Sequence, residues 1–260
     1  MTGDRIEDRA GPGDGWRAAA VVVAAGLQVG AGAVGGAGLW GEAVGEVARS
    51  YPTLLLPPGA AFAIWSLIYV AFAALAVRQA LPGQRSRTVH RRSGWWLVVA
   101  GVLNATWVLL FAQRFVVPAQ VVIVALLACL AVAAVRLRAP ADGWADRLLL
   151  HLPVAVYLGW VAVAAVAGGA TTTAAYGAAP TAPAAITALL FTGAAAAVAV
   201  ARLPAVAGFA ASVCWALGWI ASGASVPSVR VAAIAAVLAV VVAVAVRLRR
   251  GPDPADVAWG

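Results

Sequence analysis

Long apolar runs, broken by short clusters of Gly, Pro and Arg, dominate the chain from one end to the other. A bilayer core takes about 20 consecutive mostly apolar residues per helix, within a range of about 17–25. Eight stretches meet that requirement: Ala18–Leu39, Gly59–Val77, Trp95–Phe111, Val116–Val135, Leu148–Ala167, Ala184–Ala201, Ala205–Ala221 and Val229–Val246. The spacers carry turn formers and charges, including Pro57-Pro58, the Arg85–Arg92 segment, Ala139-Pro140 with Asp142-Gly143, Pro180 and Pro183, Pro204, and Pro227. The pattern predicts an all-α, polytopic membrane helix bundle of about eight transmembrane helices. The segments 1–15 and 249–260, rich in Gly, Pro and Asp, are expected to be disordered tails. The first apolar run has a flank of mixed charge and exceeds the about 7–15 apolar residues of a cleaved signal peptide, so it is expected to be a helix of the bundle.

Composition agrees with the pattern. The chain is 63% hydrophobic and 11% charged, with a mean hydropathy of +0.93, whereas soluble domains are about 45–50% apolar and about 25% charged. All 18 basic residues are Arg. The absence of Lys excludes a Schiff-base cofactor, a phosphate-loop Lys and a Lys nucleophile. Cys129 and Cys214 lie in separate apolar runs, and His90 and His151 are the only histidines. Neither a metal centre nor a disulfide framework is expected from so few ligands, and no cofactor is implied.

The arginines fall unevenly on alternate sides of the eight spans. Arg5, Arg9, Arg17, Arg78, Arg85, Arg87, Arg91, Arg92, Arg136, Arg138, Arg147, Arg202, Arg247, Arg249 and Arg250 share one side, and Arg49, Arg114 and Arg230 the other. Because positive charge is retained in the cytoplasm, both termini are expected inside, in a multi-pass protein of the cell membrane. The net charge of +8 therefore reads as topology and contact with anionic lipid, not nucleic-acid binding. Arg85, Arg87, Arg91 and Arg92 are expected to act through orientation and headgroups. Arg without Lys, in an Ala-rich chain, also suggests a GC-rich bacterial genome.

All ten carboxylates fall outside the predicted spans, and His151, near a helix end, is expected at the interface. Ion-coupled carriers usually place an ionisable group at depth. Trp16, Trp40, Trp95, Trp96, Trp144 and Trp259 fall at or beyond helix ends, where indole anchors to headgroups. Trp65, Trp107, Trp160, Trp215 and Trp219 lie deeper. Phe62, Trp65, Tyr69 and Phe72 recur at three- and four-residue steps and share one face of the second helix. Asn104, Trp107 and Phe111 do so on the third, and Tyr157, Trp160 and Ala164 on the fifth. Asn104, the only Asn, sits mid-helix and must face other helices or a cavity. Two readings stand: interhelical glue in an aromatic core, or a pocket for a flat apolar ring system oriented by the amide. Gly26/Gly30 and Gly32/Gly36 have the spacing of close helix contacts, which serves either packing within the chain or a homodimer face.

At these residues a family becomes recognisable. Pro57-Pro58 followed by Phe62, Trp65 and Tyr69 resembles the entrance to the second helix of the tryptophan-rich sensory protein family (TspO, the translocator protein family). Leu103-Asn104-Ala105-Thr106-Trp107 with Phe111 resembles that family's third-helix Leu-Asn-x-x-Trp signature, and Tyr157-Leu158-Gly159-Trp160 its fifth-helix Tyr-Leu-x-Trp segment. The resemblance covers roughly 18–168 and implies a five-helix bundle, residues 16–168, that binds porphyrins, sterol-like lipids and aromatic drug-like compounds in an intramembrane cavity. It implies a cavity lined by Trp65, Tyr69, Asn104, Trp107, Trp160 and Ala164, with the loop up to Pro57-Pro58 as lid. The sequence departs from the pattern in several places. An apolar run around Val122-Ile123 stands where the family has an Asp, Gly168 lies near a family Asn, and Ala112 replaces the second Phe of a pair. Three further helices, residues 169–248, follow the five.

Three functions compete: a membrane binding or sensory protein for tetrapyrroles (porphyrin or haem) or similar planar molecules; a transporter or facilitator of small hydrophobic molecules; and an enzyme acting on porphyrin. No acid–base pair, nucleophile or metal cluster favours the enzyme. No intramembrane charge or inverted repeat favours transport. Binding, with the lipid bilayer and the small molecule as partners, requires only what the chain contains.

Overall fold

The computed structural model describes residues 11–137, 141–251 and 253–260. Arg5, Arg9, Arg138 and the Ala139-Pro140 turn lie outside them. The described residues form an all-helical bundle without strands. In chain order the helices are α1 (Pro12–Gly36), α2 (Val44–Arg49), α3 (Ile64–Ala80, led by a 3-10 turn, Gly59–Ala63), α4 (Thr88–Ala112), α5 (Val116–Arg136), α6 (Gly143–Asp146), α7 (Leu152–Ala175), α8 (Ala182–Arg202), α9 (Ala207–Gly223), α10 (Pro227–Arg250) and α11 (Pro254–Trp259). A π-helical stretch, Arg147–His151, fuses α6 to α7. Seven of these helical segments are long and apolar enough to cross a membrane, and α9 is a shorter apolar helix of 17 residues. Proline at the first turn starts α1, α8 and α10 where its missing N–H costs nothing, whereas Pro153 lies just past the π-helical stretch, inside a continuous helix.

Small residues set the helix spacing. A Cβ on Gly101 of α4 would lie 2.9 Å from the Ala24 Cβ of α1, and one on Gly193 of α8 would lie 2.7 Å from the Ala236 Cβ of α10. On α7, a Cβ at Gly159 would meet the Phe209 carbonyl of α9 at 2.5 Å. The last three helices are thus pressed onto the first five through the α7–α9 seam. Gly32 packs on the Tyr69 ring, while Gly26, Gly30 and Gly36 have nothing within 4 Å.

One end of the bundle, where α1, α4 and α7 begin, collects the arginines. Two expectations are corrected there. The helix of α1 begins at Pro12, so residues 11–15 are ordered and Asp14 is helical and buried. Its carboxylate accepts from Arg17 Nη1 at 2.7 Å and from Arg91 Nε and Nη2 at 3.0 and 2.7 Å. Asp146 is buried likewise, with Arg87 Nη1 and Nη2 at 2.8 and 2.6 Å and Arg78 on the same carboxylate. Arg87 and Arg91 therefore tie the start of α4 to α6 and α1, and are not spare charge for headgroups. The reason is geometric: a buried carboxylate is stable only when paired, and these arginines are the donors in reach. Two further differences concern α7 and the chain end. His151, expected at the interface, is 2% exposed and lies in the π-helical stretch. The expected C-terminal tail contains α11, whose Val257 is buried and whose Asp256 pairs with Arg147.

Candidate ligand-binding cavity

At the other end of the bundle, residues 37–58 fold over the helices as a lid. Its anchor is the α4–α5 corner. Gly41 passes so close that any Cβ would lie 2.5 Å from the Ala112 carbonyl, and its φ of +119° suits only Gly. The Glu42 N–H then donates to Ala112 O at 3.0 Å, and Gln113 Nε2 donates to Trp40 O at 2.8 Å. Arg114 holds the rest. It closes α4 with φ +62°, a left-handed position usually given to Gly. From there its guanidinium makes a forked pair with Glu42, with Nη2 to Oε2 at 2.7 Å, and donates to Ser50 Oγ at 2.9 Å and Tyr51 Oη at 3.1 Å. An Arg in a strained backbone position marks a side chain whose contacts outweigh that strain. The Arg114 hydrogen bonds hold the Glu42 carboxyl below the usual carboxylate range, and Glu42 raises the Arg114 pKa in turn.

Beneath the lid is an apolar cavity of about 50 Å³. Val44, Ala48, Leu56 and Pro57 form its roof, Phe62, Trp65, Trp107 and Phe111 one wall, and Trp160, Val163, Ala164 and Ala167 of α7 the other. Four of the six residues expected at the site, Trp65, Trp107, Trp160 and Ala164, therefore converge. The rings interlock. Tyr69, Trp65, Trp107 and Phe111 form a continuous stack with centroids 5.7, 5.7 and 5.4 Å apart. Trp160 stands edge-on to Trp65 at 6.0 Å and to Phe62 at 5.9 Å. Each such pair contributes about 0.5–1.5 kcal/mol beyond area burial, so the wall is stiff. The Trp160 indole N–H is buried without a protein acceptor.

The other two expected residues lie elsewhere. Tyr69 lines an adjoining chamber of about 220 Å³ between α1, α2, α3 and α4, with Gly32, Gly36, Arg49 and Ser66, which shares Val44, Phe62, Trp65 and Trp107 with the cavity as a common wall. Asn104 lines neither void. It is 0% exposed, and neither its Oδ1 nor its Nδ2 has a hydrogen-bond partner. Three residues amount to 300° on a helix, which turns Asn104 about 60° from Trp107 and toward α1, whose Ala24 packs on Gly101.

A family model described as TSPO-like protein matches residues 18–247. The chain belongs to the TSPO-like family. The match runs through α8, α9 and most of α10, beyond the five helices on which the sequence motifs lie. No curated protein and no solved structure matches the chain. The TSPO-like family gives the general character of a membrane sensory or binding protein.

Several contributors to this TSPO-like cavity carry no motif. Gln120 of α5 lines it and donates from Nε2 to Ala165 O at 3.0 Å. A Cβ at Gly168 would lie 2.6 Å from Gln120 Oε1, so the amide fills the space beside that Gly. Thr171 and Thr172 line the cavity but spend their hydroxyl protons on the carbonyls of Ala167 and Gly168. Gln28, buried mid-α1, accepts from Tyr157 Oη at 3.1 Å and ties α1 to α7. A Gln inside an apolar run is as costly to bury as an Asn, and that was the available signal for Gln28 and Gln120. Ala216 of α9 completes the wall, so one of the three C-terminal helices belongs to the site.

Proposed function

We propose that this chain is an integral membrane binding and sensory protein for tetrapyrroles or similar planar hydrophobic molecules, and that it binds its guest without transforming it. The observation that carries this reading is an aromatic cavity under a latched lid, with one unpartnered indole N–H, from Trp160, on its wall. Flat indole and phenyl faces suit a conjugated ring, and a lone donor suits a carbonyl or carboxylate on its rim. The arginine asymmetry supports a multi-pass protein of the bacterial cell membrane with both termini cytoplasmic.

The cavity must expand to do this. Small-molecule sites hold about 300–1,000 Å³, against about 50 Å³ here. Parting the Trp65 and Trp107 stack would bring the ligand toward Asn104, one turn below Trp107, whose unpartnered amide a polar rim group would satisfy. Titration of detergent-solubilised protein with protoporphyrin IX tests the reading. Saturable quenching of tryptophan fluorescence with a shifted Soret band is expected, and its absence sinks the proposal. Trp160→Phe should weaken binding several-fold to roughly tenfold with an unchanged melting temperature. Asn104→Leu should also weaken it several-fold. Loss of melting temperature with affinity intact would make Asn104 interhelical glue instead.

A further inference from the structure

We propose that the ligand reaches the cavity sideways from the bilayer, docking first in a groove between α3, α7 and α9 that Trp215 closes off from the cavity. The proposal rests on the binding function above and names the route by which that same site is loaded. The occupant is the same class of molecule, a planar apolar compound already dissolved in lipid.

The groove is an open void of about 340 Å³. Ile64 and Leu67 of α3, Val156 of α7, and Ala211, Ser212 and Trp215 of α9 line it. Leu67 and Trp215 are 57% and 41% exposed on the bundle surface, where lipid would surround them. The Ser212 hydroxyl donates to Phe209 O at 3.0 Å, so its proton is spent inside α9 and the groove offers an apolar guest a wall without a free hydroxyl donor. A flat hydrocarbon face leaving lipid for this groove meets surfaces as apolar as those it left.

The groove and the cavity share three segments and interleave along them. On α3, Trp65 lines the cavity while Ile64 and Leu67 line the groove. On α7, Val156 of the groove lies one turn before Trp160 of the cavity. On α9, Trp215 of the groove immediately precedes Ala216 of the cavity. Where they meet, the Trp215 Nε1–H donates to Ala61 O at 2.9 Å. Ala61 belongs to the 3-10 turn Gly59–Ala63, which also carries Phe62 of the cavity wall. A 3-10 turn has poorer hydrogen-bond geometry than an α-helix, so it yields more readily than the helices beside it. Breaking this one bond frees the turn from α9 and lets Phe62 swing away from Trp160. The lid, by contrast, is pinned at Gly41, Glu42 and Arg114. Helix α9 thereby acquires a role: it supplies one side of the portal and the indole that shuts it.

The experiment uses full-length protein in nanodiscs, mixed rapidly with phosphatidylcholine vesicles that carry protoporphyrin IX, with tryptophan quenching followed in time. Trp215→Phe keeps an aromatic ring and loses the bond. Loading and release should both accelerate several-fold, up to roughly tenfold, because a net hydrogen bond is small, and Kd should not move. A changed Kd with an unchanged release rate would make Trp215 a cavity wall and overturn the gate. In a second variant, with Cys129 and Cys214 replaced by Ala, Ala211→Cys carries a bulky maleimide in the groove. Loading should slow at least tenfold at constant Kd, while the same label at Ser66→Cys, in the chamber beside Tyr69, should leave it unchanged. Unchanged loading in the Ala211 adduct, or slowing only in the Ser66 adduct, overturns the route while binding stands. Failure of the unsubstituted protein to bind the porphyrin overturns the function and the route together.

Discussion

The two ends of the bundle are both closed by arginine–carboxylate contacts, yet they are built differently. At the arginine-rich end Asp14 and Asp146 are buried, and each is held by two guanidinium groups. At the lid end Glu42 stands half in solvent, held by Arg114 alone, with both side chains over a third exposed. Desolvated pairs cost much to form but more to break, since the surviving partner is left buried and unpaired. Exposed pairs contribute little and are screened by salt. The same chemistry thus makes a desolvated joint at one end and, at the other, a solvent-facing clasp on a lid that backbone bonds at Gly41 and Glu42 also hold.

The sharpest way to break this contrast is Asp146→Ala, which strips Arg78 of its carboxylate and leaves Arg87 with Gln84 and the more distant Asp142. It should cost about 3–5 kcal/mol, seen as a lowered midpoint of unfolding in detergent. An unchanged midpoint would make the two ends equivalent. Arg114→Gln should leave that midpoint nearly unmoved while the lid loosens. Proteolysis or cysteine labelling within residues 37–58 should then accelerate several-fold.

Acidification refines the contrast. Because Glu42 titrates below its unfolded value, its contribution is fully present above about pH 4.3, the ordinary Glu value, and is lost as the pH falls through the lower folded value. Lid labelling should therefore be flat from about pH 7 to 5 and rise only below the ordinary Glu range. A rise near neutrality would mean that another group holds the lid. The smallest effect is expected midway between the ends. Tyr157→Phe removes the bond to Gln28 and should cost about 0.6 kcal/mol, the average for such bonds in membranes, without altering either end.

Much of this architecture can be read from the residues. Apolar runs mark the seven membrane-length helices and the shorter α9 because lipid forces every backbone group into a helix. Same-face spacing marked Trp65, Trp107 and Trp160 as inward-facing on their own helices, but only the family resemblance put them in one cavity. The sorting of Tyr69 into an adjoining chamber was not legible, because it depends on which side of the Trp65 ring each neighbour lies. Asn104 was legible as a residue that must face inward, but not as one set behind the wall. The lid helix α2 has six residues, too few for a periodic signal. Asp14 and Asp146 looked peripheral because they flank apolar runs. Only the folded chain brings Arg91 and Arg87, distant in sequence, onto them.

The packing of Gln120 against Gly168 bears on how sequences of this kind can diverge. An Asn introduced at Gly168, the residue type that the family resemblance implies nearby, would place its Cβ 2.6 Å from the Gln120 oxygen. Taken alone, that replacement crowds the Gln120 amide, and shortening Gln120 alone leaves a gap and loses the bond to Ala165. The contact is with the far end of a flexible side chain, so the Gln120 amide can swing aside and what is at stake is its bond to Ala165, which couples the two positions. Lineages should carry either Gln with Gly or a small residue with Asn, and seldom the mixed pairs.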